Sequence, residues 1–148
     1  MNLAELTKTA VSSMASTMAG YGLCSSASPG EKTSGRVVHV QIDMLGDVSG
    51  LIIIEMPESA AVAVANAMMA GAMVVAGPDE MCLSAVGELC NQVSGGICTA
   101  LSNAGAIADI RPPHTDLRAE GLCPDRAVSF PLEGGAGAVN LFVVLTRG

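Results

Sequence analysis

The sequence predicts an α+β fold, a largely antiparallel sheet with helices on one face, and three observations predict it. Residues 3–20 and 79–104 carry helix-period apolar stripes, with an uncharged Ala-rich stretch between them. Four runs read as strands and fall in pairs, 37–44 with 51–56 and 127–132 with 139–146. The chain also resembles itself. Glu5-Leu6-Thr7-Lys8, running on to Gly22, lies without a gap over Glu88-Leu89-Cys90-Asn91, running on to Gly105, and Gly46–Ile54 lies over Gly134–Phe142. Each half is then a helix followed by a β-hairpin, with the Ala-rich helix inserted between the halves. Such an internal pseudo-repeat puts the two repeated helices on the same side of the sheet.

Taken in order, residues 3–20 place Leu3, Leu6, Ala10, Met14 and Met18 close to one stripe of a helix. Residues 21–35, rich in Gly and Ser around Pro29-Gly30, form a loop. In the next run Val38, Val40, Ile42 and Met44 alternate with Val37, His39, Gln41 and Asp43, and the first set faces the core. Gly46-Asp47-Val48-Ser49-Gly50 turns the chain into Leu51–Met56, a more buried strand. Pro57-Glu58-Ser59 opens the Ala-rich helix, with Pro in its first turn and Ser59 as its cap. Ser59–Pro78 carries no charge, but Ala with Asn66 and Gly71 inside is too weakly hydrophobic for a membrane span. It reads as a buried helix followed by a short extended segment. Gly77-Pro78-Asp79-Glu80 opens the long helix. Its apolar stripe is Val86, Cys90, Val93, Ile97 and Leu101, and Ser84, Glu88, Asn91 and Gly95 lie on the other side. After Pro112-Pro113 a loop runs to about residue 125.

The length of 148 residues fits one domain over 1–148 with a real core. Half of the chain is apolar, yet it holds two Phe, one Tyr and no Trp, so the core is expected to consist of Ala, Val, Leu, Ile and the nine Met. The net charge is −7 with no cluster of Lys and Arg, which argues against nucleic acid or an anionic membrane as partner. A partner with a basic rim around its own site fits that charge. Five cysteines, at 24, 82, 90, 98 and 123, are odd in number and lack CxxC spacing. The first residues have no basic segment followed by an apolar one. The expectation is a cytoplasmic protein with free thiols.

Most catalytic arrangements are missing. His39 in a strand and His114 in a loop have no Cys or carboxylate at metal-ligand spacing, so no metal site and no cofactor of the protein's own is expected. There is no nucleophile elbow, Gly-rich phosphate loop or HExxH motif. Cys82, Cys90 and Cys98 recur every eight residues, a rotation of about 80° per step, and so do not converge. They read as core fillers. What remains is Glu88 with Asn91, three residues apart, whose Cβ atoms on a helix lie roughly 5–6 Å apart. A carboxylate there can grip a cation on a partner, and the carboxamide can hold a water molecule. Polar pairs of this kind are usually plain solvated surface. This one stands on a face that is otherwise small, with Ser84 above and Gly95-Gly96 below, so that a partner's backbone can come close. A mid-helix Gly costs roughly 1 kcal/mol relative to Ala, and two in a row ask for a packing or a binding reason. In the first half Lys8 stands where Asn91 stands, so only the second half has the amide.

Asp79-Glu80, then Ser84-Ala-Val-Gly-Glu88-Leu-Cys-Asn91-Gln-Val-Ser-Gly95, with Pro112-Pro113 about twenty residues on, resembles the CheC/CheX/FliY group of chemotaxis phosphatases. The Gly46–Gly50 hairpin and the Ala-rich helix resemble CheX in particular, and Lys8 in place of a second Asn places the chain nearer CheX than CheC. The resemblance implies a two-layer CheC-like/CheX-like sandwich, commonly a homodimer, that dephosphorylates a CheY-like response regulator. It implies that Asn91 orients the attacking water and Glu88 docks to the receiver's lysine, with Ser84 and Gly95 as contacts. The Mg²⁺ of the reaction would belong to the receiver. Thr115–Gly121 departs from the group's pattern, which leaves the loop beside the site undetermined. Two other readings are compatible with the same residues. One is a non-catalytic module that docks on a receiver or signalling protein. The other is a structural dimer whose helix face packs in its own interface.

Overall fold

The computed structural model describes residues 3–24, 28–29, 35–122 and 127–147. The expectations for Cys123, for most of the loop around Gly30 and for the end of the loop near residue 125 lie outside the described residues, as do those for the side chains of Leu3 and Leu6. In chain order the elements are α1 (Leu3–Gly20), β1 (Ser28–Pro29), β2 (Val37–Gly46), β3 (Val48–Pro57), α2 (Glu58–Met69), α3 (Glu80–Asn103), β4 (Ala108–Ile110), β5 (His114–Arg118), β6 (Val128–Pro131) and β7 (Ala138–Arg147). The sheet is antiparallel throughout, in the order β1-β6-β7-β3-β2-β4, and β5 joins β2 beyond β4 on the same edge.

One face of the sheet carries the helices. Val38, Val40, Ile42 and Met44 of β2, Ile52, Ile54 and Met56 of β3, and Val139 and Leu141 of β7 are buried. They join one core cluster with Ala10, Met14 and Met18 of α1, the Ala-rich face of α2 and the apolar stripe of α3. The only described aromatic side chain in that cluster is Phe130 among the buried members, with Tyr21 packed at the edge. Small and flexible side chains therefore fill the space between the layers, and the helices lie close to one another.

The internal repeat is visible as a pseudo-two-fold. Tyr21 reaches Gln92, Ser13 reaches Val93, and Lys8 shares a groove with Ala100, so α1 and α3 run antiparallel. They touch at Ser13 and Gly96, which are counterparts when Glu5 is laid on Glu88. In the sheet the two hairpins meet through β3 and β7. The segment after each helix then adds a strand to the outer edge of the other half's hairpin, β1 onto β6 and β5 onto β2.

Three expectations need correction. Ser59 does not cap α2. Pro57 takes the N-cap position without a side-chain hydrogen bond, and the Ser59 hydroxyl donates instead to the Ala136 carbonyl at 2.7 Å. The loop expected after Pro113 contains strand β5, and β4 precedes the prolines; both form by pairing with the exposed edge of β2. Finally, Val37 and His39 are buried although they face away from the helices. His39 stands directly across from Glu55 in the β2/β3 register and its Nδ1 lies 2.5 Å from Glu55 Oε2. The Leu122 N–H reaches over this pair and donates to Glu55 Oε1 at 2.8 Å.

Candidate functional site

Helix α3 begins where the sequence signals it, at an extended Asp79 whose side chain accepts from the Cys82 N–H at 2.9 Å. From there the buried stripe Val86, Cys90, Val93, Ile97 and Leu101 fixes the helix rotation, each residue being fully buried. The rotation leaves Ser84, Glu88 and Asn91 exposed and Gly95 half-exposed on the opposite side. The four predicted residues thus share one solvent-facing strip. Among the described residues neither Glu88 nor Asn91 has a hydrogen-bond or ion-pair partner, so the carboxylate and the amide are both available to a second molecule.

Two close contacts set the height of this helix. Gly87, beside Glu88, lies against β5: a Cβ added there would stand 3.3 Å from Thr115 Oγ1 and 3.9 Å from the Pro113 ring. Gly96 lies against α1, where an added Cβ would stand 2.5 Å from Ser13 Oγ. That hydroxyl in turn donates to the Val93 carbonyl at 3.0 Å. The two adjacent glycines therefore differ in role. Gly96 has a packing reason, whereas a Cβ on Gly95 would meet nothing within 4 Å. Gly95 leaves an open notch one turn below Asn91, into which a partner's backbone can fit. The packing of Gly87 on Pro113 and Thr115 was not legible from sequence, since it depends on where β5 pairs.

The other reactive groups do not compete for a chemical role at this face. Burial pushes the Cys90 thiol well above its ordinary range. Burial, with the nearby Asp79 and Asp109 carboxylates respectively, also raises Cys82 and Cys98. These thiols stay protonated near neutral pH, in keeping with core filling. Among the described residues no group of three or more His, Cys, Asp and Glu side chains could hold a metal ion. No helix of the described residues is long and apolar enough to cross a membrane. On the α1 side of the strip the Tyr21 hydroxyl donates to Gln92 Oε1 at 2.9 Å. Lys8, the counterpart of Asn91, is exposed on a groove of about 510 Å³ between the two helices.

Comparison with known proteins bears on this arrangement. The family model described as Chemotaxis phosphatase CheX matches residues 38–129, from β2 into β6. The CheY-P phosphatase CheX of Thermotoga maritima is 38% identical over 72 residues, 49% of this chain and 46% of that protein. The chain thus spans about half the length of the curated relative it matches. Among solved structures, a CheC-like superfamily protein from a Shewanella species is similar with a TM-score of 0.75 at 20% identity, covering 99% of both chains. The CheX–CheY–BeF3–Mg²⁺ complex from Borrelia burgdorferi contains a chain similar at TM-score 0.69 and 20% identity, covering 95% of this chain and 97% of that one. At such identities the two structures testify to a common fold. Because the family model spans well over half of the chain and includes the whole of α3, the chain belongs to the CheX family of chemotaxis phosphatases.

Proposed function

We propose that the protein hydrolyses the aspartyl phosphate of a CheY-like receiver domain. The observation that carries this reading is the exposed pair Glu88 and Asn91 on a helix held rigidly by its buried stripe, with the Gly95 notch beside it. The names of the relatives support it: the Thermotoga protein is a CheY-P phosphatase, and the Borrelia relative occurs in a complex with CheY, BeF3 and Mg²⁺.

In this mechanism α3 docks against the receiver's phosphorylated aspartate. Glu88 pairs with the receiver's lysine and seats the helix. The Asn91 carbonyl oxygen accepts a hydrogen bond from a water molecule and turns its lone pair toward phosphorus. That water attacks in line, the bond from phosphorus to the aspartate oxygen breaks, and inorganic phosphate and a free carboxylate result. Phosphoryl transfer needs little covalent help from a catalyst; placing the nucleophile and neutralising charge supply most of the acceleration. The Mg²⁺ that balances the phosphoryl charge is carried by the receiver, and the protein contributes no cofactor. Ser84 and Gly95 serve as contacts along the docking strip. Family membership also leads us to expect a cytoplasmic homodimer, which sedimentation equilibrium would test.

The experiment is acyl-phosphate decay in a panel of phosphorylated receivers. One receiver should lose its phosphate faster with the wild type and not with Asn91→Ala. A receiver that binds tightly yet keeps its phosphate would mark the protein as a docking module instead.

A further inference from the structure

The helix-free face of the sheet holds a second concentration of polar chemistry, on the other side of the sheet from α3. A cavity of about 600 Å³ lies over the face shared by the paired strands β2 and β5, lined by His39, Gln41 and Asp43 from β2, by Arg111, and by His114 and Asp116 from β5, with Arg118 at its end. The strand register places these groups on one face, His39 across from Asp116 and Gln41 across from His114. Arg111 is anchored beside Asp43, its N–H donating to the Asp43 carbonyl at 2.9 Å.

His39 makes this more than a polar surface. It is 1% exposed, and its Nδ1 is held by Glu55 on β3, itself fixed by the Leu122 N–H. His39 is also part of the cavity lining. Its Nε2 is buried and has no hydrogen-bond partner among the described residues. A buried imidazole oriented by a carboxylate, with its second nitrogen unused, asks for a partner.

The surrounding charges define the partner's chemistry. Asp116 is already paired with Arg118 at 3.5 Å. Arg111 and Asp43 have no ion pair among the described residues, so a guanidinium and a carboxylate both face the cavity uncommitted. We propose that this cavity binds a small oxyanion carrying a hydroxyl group, a hydrogen phosphate or a hydroxycarboxylate. The anionic oxygens are taken by the Arg111 fork. The hydroxyl donates to His39 Nε2 or to Asp43, and Gln41 and His114 complete the polar lining. The cavity is larger than such an ion, which leaves room for a substituent on it.

The test is titration of the full chain with inorganic phosphate and, separately, with L-malate, read from the ring-nitrogen NMR signals of its two histidines. Saturable shifts of the His39 ring with phosphate identify phosphate chemistry, and with malate a carboxylate ligand; either supports the site. Arg111→Ala, an exposed change that keeps the fold, should weaken that binding about tenfold or more. His39→Gln should abolish it, while Asn91→Ala leaves it unchanged, which separates this site from the α3 strip. No saturable shift with either probe, or binding that survives Arg111→Ala at full strength, overturns the proposal.

Discussion

The adjacent glycines of α3 offer a prediction in which stability and activity separate. In Gly96→Ala the new Cβ would stand 2.5 Å from Ser13 Oγ, closer than real Cβ contacts come, so the hydroxyl must turn away. It then loses its bond to the Val93 carbonyl, a loss of about 1 kcal/mol, and crowding at the α1–α3 contact costs about 1–3 kcal/mol more. The better helix propensity of Ala returns about 1 kcal/mol. The net loss is about 1–3 kcal/mol, a fall in Tm of about 2–12 °C for a chain of this length. Gly95→Ala meets no atom within 4 Å, so only the propensity gain of about 1 kcal/mol applies and Tm rises. Yet the same methyl group fills the notch beside Asn91, and receiver dephosphorylation should fall. In the double change Ser13→Ala with Gly96→Ala, the two Cβ atoms stand 3.8 Å apart, an ordinary contact, and stability should return to at least the wild-type value. Urea unfolding followed by circular dichroism measures all three. Gly96→Ala matching the wild type, or a double variant no better than the single one, would refute the reasoning about this contact.

Four further outcomes follow from the same structure. Asp79→Ala removes the side-chain cap on the first turn of α3 and should cost about 1 kcal/mol, measured by urea unfolding. Glu55→Ala leaves the Leu122 N–H and a buried His39 without their acceptor, and the loss should be about 3–5 kcal/mol by the same assay. Cys90 in the folded state holds its proton above the ordinary thiol value of 9.0, whereas in the unfolded chain it releases it from there upward. Stability should therefore be full below that pH and decline as pH rises through it, by about 1.4 kcal/mol per pH unit for this thiol. Cys90→Ala should flatten that slope in unfolding curves taken under reducing conditions. Gly87→Val drives a branched side chain into Thr115 and Pro113, and should lower dephosphorylation as well as stability by displacing Glu88.

The parts of this fold that are legible in the sequence are those whose burial has a period. Val38 to Met44, alternating, and Val86 to Leu101, at helical steps, announce both their element and their inward face because one side of each is in the core. Strands β4 and β5 are too short and too shallowly buried for such a signal. His114-Thr-Asp-Leu-Arg118 has one apolar residue, Leu117, on its half-buried side, too little to announce a strand, and it is a strand because β2 offers it a free edge. His39 and Glu55 are hidden for a related reason. They are sixteen residues apart and become neighbours only through the β2/β3 register, under a cover contributed by Leu122. The strip of Ser84, Glu88, Asn91 and Gly95 is legible because a single helix builds it. The division of labour between Gly95 and Gly96 is not, since it depends on how α1 crosses α3.

The repeat adds a physical reason for the site's asymmetry. Glu5 and Lys8 occupy on α1 the place of Glu88 and Asn91 on α3, yet an ammonium group has three donors and no acceptor. Lys8 can attract a phosphoryl oxygen but cannot orient a water by accepting a hydrogen bond from it, so in this account α1 contributes no second catalytic strip.

The most direct measurement is the single-turnover loss of acyl phosphate from a matched receiver, with wild type, Asn91→Ala and Glu88→Ala compared at saturating and limiting protein. The account predicts that Asn91→Ala abolishes the acceleration at saturation while its affinity for the receiver stays within a few-fold of wild type. Glu88→Ala should lose mainly affinity. An Asn91→Ala protein that still clears the phosphate at the wild-type rate would contradict the central claim, that this amide places the water.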